Sequence, residues 1–452
     1  MISRRAVVQT ATIGTSGLIA GRSVVPSAFS QVGGTPAAAP EASPAASPVA
    51  DTVDRSATRI TGFKNPELDF QIMRSLGAGI SGGGTPGEIF AARASIGEDP
   101  YAWPPAFDQI ATSADAEAAK ALESGFPVSA REASLRASMY WRASEYFSDP
   151  LQEEGVTRGQ ASRASFLRAA ALLPHAIESI EIPFGDTSLP GYVMQPAGEA
   201  NGITLLVLTG FDGTGEELYF ETAAAGLERG FTIVIAQGPG QVGAMRDNPN
   251  LVFRPDYEVP IAAMIDAAFA QVDVDPARFG VYGISLGGYF TIRGAEHDDR
   301  IKALVVNSPI PNLRRYQLGF LGGEQAALQI PDISLDEIDE IPDDEFPRTQ
   351  KLLLKASLRR FGVDSLHGWI TKLEAFDATP DLGNIACPSL AMVGTGEGKE
   401  ARDQFDEFVS GVAGPVTQRI FTQAEGADMH CQLGNLSLSN SVIYDWLQAT
   451  FR

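Results

Sequence analysis

From residue 176 onward, short β-branched runs alternate with helical stretches, and this alternation limits the fold more than any other feature of the chain. Ile177–Phe184 and Leu189–Gln195 read as an entry hairpin. Thr204–Leu208, Phe231–Ala236, Phe279–Ile284, Ala303–Val306, Ser389–Val393 and Val416–Phe421 follow. Such runs, mostly separated by helices, predict an α/β fold with a mostly parallel central sheet covered on both faces. A length of 452 residues with 44% hydrophobic content can fill one core and carry appended pieces. The sheet pattern covers 176–307 and 380–452. Between them, 308–379 is helical and acidic (Asp332 to Asp344), and an insertion after a strand is predicted to be a helical lid.

Residues 61–175 read as a helical front domain, a cap. Ser129-Ala-Arg-Glu132 has the form of a capping box and predicts a helix start there. Leu135, Met139, Ala143 and Phe147 recur every four residues behind it, and Asp149-Pro150 ends the run. Gly77 to Gly87, with six glycines, reads as a loop. Residues 31–60 are a Pro/Ala/Ser-rich linker that cannot bury apolar surface. Residues 1–30 carry Arg4, Arg5 and Arg22, no acid, and a mildly apolar run from Ala6 to Ala20. This pattern predicts a twin-arginine-type export signal cut after Ser30, hence a periplasmic or extracellular protein. No other stretch reaches 18 continuous apolar residues, so no membrane insertion is expected after signal removal.

Lys+Arg 34 against Asp+Glu 56 leaves a formal charge of −22. Such a surface repels phosphate backbones and anionic lipid heads, which disfavours nucleic-acid and membrane-surface roles. Cys387 opens a strand and Cys431 follows a loop at the opposite sheet edge. Roughly 17–20 Å separates those edges, beyond the reach of a disulfide, so both read as free thiols.

Gly283-Ile-Ser285-Leu-Gly287 is a G-x-S-x-G sequence entered by the apolar strand Phe279–Tyr282 and left by a helical run from Leu286 to Glu296. A strand-to-helix turn this sharp needs small residues on either side and lifts the serine hydroxyl out of the sheet. A serine nucleophile needs a base, and the chain has 4 histidines. His297 lies at the end of the serine's own helix, roughly 18 Å away. His175 precedes the first strand and is expected to cap the front helices. His367 falls in the insertion, where a structural role is favoured over a substrate contact. His430, in the loop after the last strand, is the base this chain order delivers. The acid must lie between them. Glu397, first after the turn that follows Ser389–Val393, is favoured, with Glu400 and Asp403 as alternatives. The oxyanion hole should combine the backbone N–H of Leu286 with that of Phe211, in the loop after Thr204–Leu208. Gly238-Pro-Gly-Gln241 reads as a structural wall of the site. Metal-ligand spacing, a phosphate loop and a dinucleotide fingerprint are all missing from the sequence, so no cofactor or metal is expected.

Together these residues resemble one branch of the α/β-hydrolase superfamily, typified by 2,6-dihydroxypseudooxynicotine hydrolase and by fungal polyketide-shortening pigment hydrolases. The resemblance runs from about residue 66 to the end. It rests on Val128–Glu132, Gly210-Phe-Asp-Gly213, Gly238–Gln241, Phe253–Asp256, Asp275-Pro276, the elbow and Gly426–Cys431. It implies Ser285 as nucleophile, His430 as base and Glu397 at a position where well-known members have Asp. Gln237 stands where relatives often have Asp, and Phe126 where a histidine is expected. With the predicted export signal, the resemblance implies an exported serine hydrolase that cleaves an ester or an activated C–C bond next to a carbonyl through an acyl-enzyme. Its substrate would be a small carbonyl compound, with assembly as a homodimer left open. A peptidase of acylaminoacyl type and a non-catalytic binding protein on the same scaffold are the alternatives.

Overall fold

The computed structural model describes residues 62–452. The expected export signal and linker lie outside the described residues. Eight strands form one sheet in the order β1-β2-β4-β3-β5-β6-β7-β8. β1 (Ala176–Phe184) and β2 (Thr187–Gln195) are an antiparallel hairpin, and β2 joins β4 (Thr232–Ala236) in the same sense. β3 (Thr204–Leu208), β5 (Phe279–Ile284), β6 (Ala303–Asn307), β7 (Ser389–Gly394) and β8 (Val416–Phe421) complete it with parallel pairings. Every expected run is a strand.

Every residue of β3, β5, β6 and β7 is buried, as expected of a parallel sheet covered on both faces. Leu206, Leu208, Val281 and Val306 point into one core, and Leu205, Val207, Tyr282 and Val305 into the other. β3 has β4 on one side and β5 on the other, so the chain reverses its winding there. A crevice opens beyond the carboxyl ends of strands at such a switch point.

Among the described residues, five α-helices precede the sheet: α1 (Pro66–Gly77), α2 (Pro86–Ile96), α3 (Trp103–Glu123), α4 (Pro127–Tyr146) and α5 (Glu153–Ala170). The first four share a core of their own around Trp103, Phe107, Tyr140 and Phe147, with the Trp103 and Phe107 rings stacked at 4.6 Å, whereas the fifth packs Phe166 and Ala169 into a core of the sheet. Leu135, Met139 and Ala143 are buried along α4, as their spacing predicts. The expected start of that helix is wrong, however. It begins at Pro127 with Phe126 as N-cap, and the Ser129–Glu132 box does not form. Proline at the first helical position has its φ preset and no N–H to leave unpaired, so it outcompetes the hydroxyl two residues on. The expected glycine loop is shorter too, because α1 runs to Gly77 and a tight turn occupies Ala78–Ser81.

Buried ion pairs lock the front helices to the sheet domain. Arg246 forms a bidentate pair with Glu145 of α4 at 2.8 and 2.6 Å, with side chains 1% and 3% exposed. Arg74 of α1 does the same with Glu217 at 2.7 and 2.7 Å, and Arg142 of α4 adds a bond to Glu217 at 2.9 Å. A buried pair is strongly destabilising to break, because the surviving charge is left in low dielectric. Glu145→Gln should therefore lower unfolding stability by about 3 kcal/mol, read as a fall in the urea midpoint at unchanged slope.

His175 does not cap the front helices. It lies beyond the end of α5, and its Nδ1 accepts the Ala197 N–H at 3.1 Å across the open end of the β1–β2 hairpin. The insertion carries helices Leu313–Gly319, Arg348–Phe361 and Leu366–Lys372 and packs into the core on one sheet face. Its acidic stretch holds one helical turn, Ile338–Glu340, and is otherwise irregular. Closely spaced like charges and Pro342 oppose a longer helix there. His367 is structural, with Nε2 2.8 Å from the Ile330 carbonyl. Cys387 and Cys431 are both free thiols. No helix among the described residues is long and apolar enough to cross a membrane.

Candidate active site

Ser285 stands at the end of β5, in the crevice beside the loop that leaves β3. Its φ of +59° is left-handed, a conformation that costs an L-residue about 1–2 kcal/mol. The surroundings enforce it: the Ser285 N–H donates to the Asn307 carbonyl at 2.6 Å, and the Ser285 carbonyl accepts from Gly288 at 2.8 Å. A side chain on Gly283 would collide with the Gly287 carbonyl and the Thr291 hydroxyl, so the first glycine of the motif is needed for close approach. The helix Gly287–His297 then begins immediately behind the serine.

His430 and Glu397 converge on this serine. His430 Nε2 lies 2.8 Å from Ser285 Oγ, and His430 Nδ1 lies 2.6 Å from Glu397 Oε2. The Glu397 side chain is 1% exposed and fully engaged. Oε2 also accepts the Ser308 hydroxyl at 2.6 Å, and Oε1 accepts the Gly394 N–H at 2.7 Å. The helix Gly398–Gly411 starts directly after it and carries the two alternatives away. Glu400 pairs with Arg315 at 2.9 Å, and Asp403 pairs with Lys399 on the exposed face. Past His430 the chain turns through two left-handed residues, Cys431 at φ +56° and Gln432 at φ +51°, which swing it into the last helix, Leu436–Thr450.

The His430 imidazole is held well above its ordinary value. Burial works to lower it, but Cys431, Tyr316 and Glu397 act in the opposite sense and prevail. Burial pushes the Tyr316 phenol up to about 12 and the Cys431 thiol upward as well. Both are therefore neutral at pH 7, which leaves the Glu397 carboxylate as the charge that acts.

Gly210 and Phe211 lie against the elbow. A side chain on Gly210 would meet Ser285 Cβ at 2.6 Å and the Leu286 N at 2.8 Å. Among the described residues, neither the Phe211 nor the Leu286 N–H has a backbone acceptor. The loop is held from two sides that sequence reasoning did not identify. Gln241 Nε2 donates to the Thr209 carbonyl at 2.5 Å, so the Gly238–Gln241 turn is a brace for this loop as well as a wall. Arg360, from the insertion helix Arg348–Phe361, donates to the Phe211 carbonyl and stacks over its ring at 4.6 Å. No local pattern marks Arg360, which acts across 149 residues.

A cavity of about 680 Å³ opens above Ser285, a size suited to a small organic molecule. The front helices supply Phe70, Arg74 and Tyr146 to its wall, and the insertion supplies Tyr316, Phe320, Leu354 and Trp369. Phe126 is 62% exposed and does not line it. At the far end of the elbow helix, Glu296, His297 and Asp381 bring one potential ligand atom each within 4.8 Å. Arg293 already sits on both carboxylates, at 3.0 and 3.7 Å, and supplies the positive charge there.

No family model matches the chain. Among curated proteins, the α/β hydrolase xenA of Xenoacremonium sinensis is 32% identical over 364 residues, 75% of this chain and 84% of that protein. The 20-hydroxy-prefusarin hydrolase FUS2 of Gibberella moniliformis is 34% identical over 255 residues, 54% of this chain and 60% of its own length. Among solved structures, 2,6-dihydroxy-pseudo-oxynicotine hydrolase superposes with a TM-score of 0.62 at 22% identity, covering 83% of this chain and 95% of the other. A mostly parallel sheet, a serine elbow in the switch-point crevice and a relative matched over most of both chains lead to one assignment: this chain belongs to the α/β-hydrolase family.

Proposed function

We propose that the chain is an exported serine hydrolase that acts on a small carbonyl substrate through an acyl-enzyme on Ser285. The observation that carries this reading is the unbroken hydrogen-bonded series Ser285–His430–Glu397 at the floor of the cavity. His430 Nε2 takes the Ser285 proton, and the alkoxide attacks the substrate carbonyl. Glu397 holds the imidazole in the tautomer that leaves Nε2 free to accept, and it stabilises the imidazolium that forms. The N–H groups of Phe211 and Leu286 receive the developing oxyanion. His430 then protonates the leaving group, which is an alcohol in an ester or a stabilised carbanion in an activated C–C bond. Water, deprotonated by the same imidazole, releases the acid.

Two relatives carry names of oxygenated small molecules, 20-hydroxy-prefusarin and 2,6-dihydroxy-pseudo-oxynicotine. Those names and a cavity of about 680 Å³ favour a small-molecule substrate over a peptide. Export rests on Arg4-Arg5 and the apolar run behind them. A fluorophosphonate probe should form one adduct, located on Ser285 by peptide mass spectrometry. Folded protein that takes no label would overturn the reading in favour of a binding role.

The pH profile offers an independent check. His430 acts as a base only when neutral, and its surroundings favour the protonated form. The acid limb of kcat/KM should therefore turn at a pH above the ordinary imidazole value of about 6.5. Removing the Glu397 charge takes away a stabiliser of the imidazolium, so the limb should move to lower pH in Glu397→Gln. Ester hydrolysis followed from about pH 5 to about pH 10 would show both.

A further inference from the structure

The loop that carries the Phe211 N–H is pinned carbonyl by carbonyl from three parts of the chain. Gln241 Nε2 donates to the Thr209 carbonyl at 2.5 Å and reaches that of Gly210 at 3.4 Å. Arg142 of α4 donates to the Asp212 carbonyl at 2.6 Å, and Arg360 of the insertion helix Arg348–Phe361 donates to the Phe211 carbonyl between them. In a trans peptide the N–H points away from the carbonyl of the same unit. Holding these carbonyls therefore fixes where the Phe211 N–H is aimed. Donors held in place beforehand stabilise a developing oxyanion without reorganising.

Two of the three anchors have other partners. Gln241 Oε1 accepts the Gly238 N–H at 2.5 Å, and Arg142 Nε donates to Glu217 at 2.9 Å. The Arg360 guanidinium differs. Among the described residues it has no carboxylate in an ion pair with it, and its Nε is buried without a hydrogen-bond partner. Both of its interactions fall on Phe211: the bond to the carbonyl, and the ring face at 4.6 Å. Arg360 is 6% exposed. Burial pulls it down to about 10, with Asp212 opposing and Arg142 adding to the fall, so it stays charged at pH 7. Burying a charge without a counter-ion is costly, and fold stability gives no reason to keep one here. The backbone ties the same helix end to the loop, since the Phe253 N–H donates to the Arg360 carbonyl at 2.8 Å and the Phe253 ring stacks on Phe211 at 5.7 Å.

We propose that Arg360 is a positioning residue for the oxyanion hole: seated on the Phe211 carbonyl, it couples the insertion to the loop and keeps the Phe211 N–H directed at the developing charge. This rests on Ser285 being the nucleophile. Nitrophenyl butanoate and its thiono analogue, in which sulfur replaces the carbonyl oxygen, test it. Sulfur is a weak acceptor, so the thionoester draws little from the hole. Arg360→Met, of similar length but without donor or charge, should lower kcat on the ester by about tenfold or more at nearly unchanged KM. On the thionoester kcat should hardly move, so the wild-type preference for the ester shrinks by the same factor. Arg360→Lys keeps a donor and the charge but reaches less far. Its loss should be smaller than that of Arg360→Met and again confined to the ester, which carries the test if Arg360→Met does not fold. A loss equal on both substrates, a loss carried by KM alone, or no loss overturns the proposal. If fluorophosphonate still labels Ser285 of the wild type in that case, the serine-hydrolase reading stands without it. A wild type that takes no label overturns both.

Discussion

Ser285→Ala is expected to lower kcat by about a millionfold, the loss seen when the nucleophile of a serine triad is removed. The side chain shed is one oxygen at the floor of an open cavity. His430 Nε2 then bonds to water, and Glu397 keeps its hold on Nδ1 and on Ser308. The variant should therefore melt within a few degrees of the wild type, and activity loss will be separable from unfolding. Steady-state turnover of a nitrophenyl ester, followed beside a thermal melt, reads both quantities. Undiminished turnover in a folded variant would remove Ser285 from the mechanism.

Glu397→Gln should cost about 10⁴ in kcat with the fold retained. The reason lies in the three donors that the carboxylate serves. Oε2 accepts from His430 and Ser308, and Oε1 accepts from Gly394. An amide has one acceptor oxygen, so in either orientation its NH2 confronts a donor. With the NH2 towards His430, the imidazole is driven to the tautomer protonated at Nε2, which cannot take the serine proton. Glu397→Asp withdraws the carboxylate by roughly 1.5 Å and should be milder but still damaging. Glu400→Gln and Asp403→Asn act on exposed or half-exposed ion pairs, worth at most about 1 kcal/mol each, and should leave kcat nearly unchanged. A crippled Glu400→Gln or Asp403→Asn beside an active Glu397→Gln would move the acid to the other position.

Much of this could be read from sequence because it is written in short-range patterns. Strand runs such as Phe279–Ile284 are apolar at successive positions, and the turn at Gly283–Gly287 is local. Chain order then limits the base to His430 and the acid to the loop before it. Short-range signals also compete, and at α4 the Pro127 start overrode the Ser129–Glu132 box. The front helices show the limit of such patterns. Arg74, Arg142 and Glu145 of these helices carry no local sign of burial, yet all are buried in pairs with Glu217 and Arg246 of the sheet domain. Periodicity identifies an apolar stripe but does not reveal whether a charged stripe will be covered by another domain.

By itself the sequence determined the α/β class, the strand set and the serine elbow, because backbone sterics and side-chain burial act over a few residues. Only the tertiary structure decided what encloses the site. Arg360 reaches Phe211 from 149 residues away, and Arg74 pairs with Glu217 across 143 residues. Each of these depends on which surfaces meet once the chain has collapsed. The interaction is then set by low dielectric and the need to satisfy buried polar groups, quantities that have no value until the neighbours are in place.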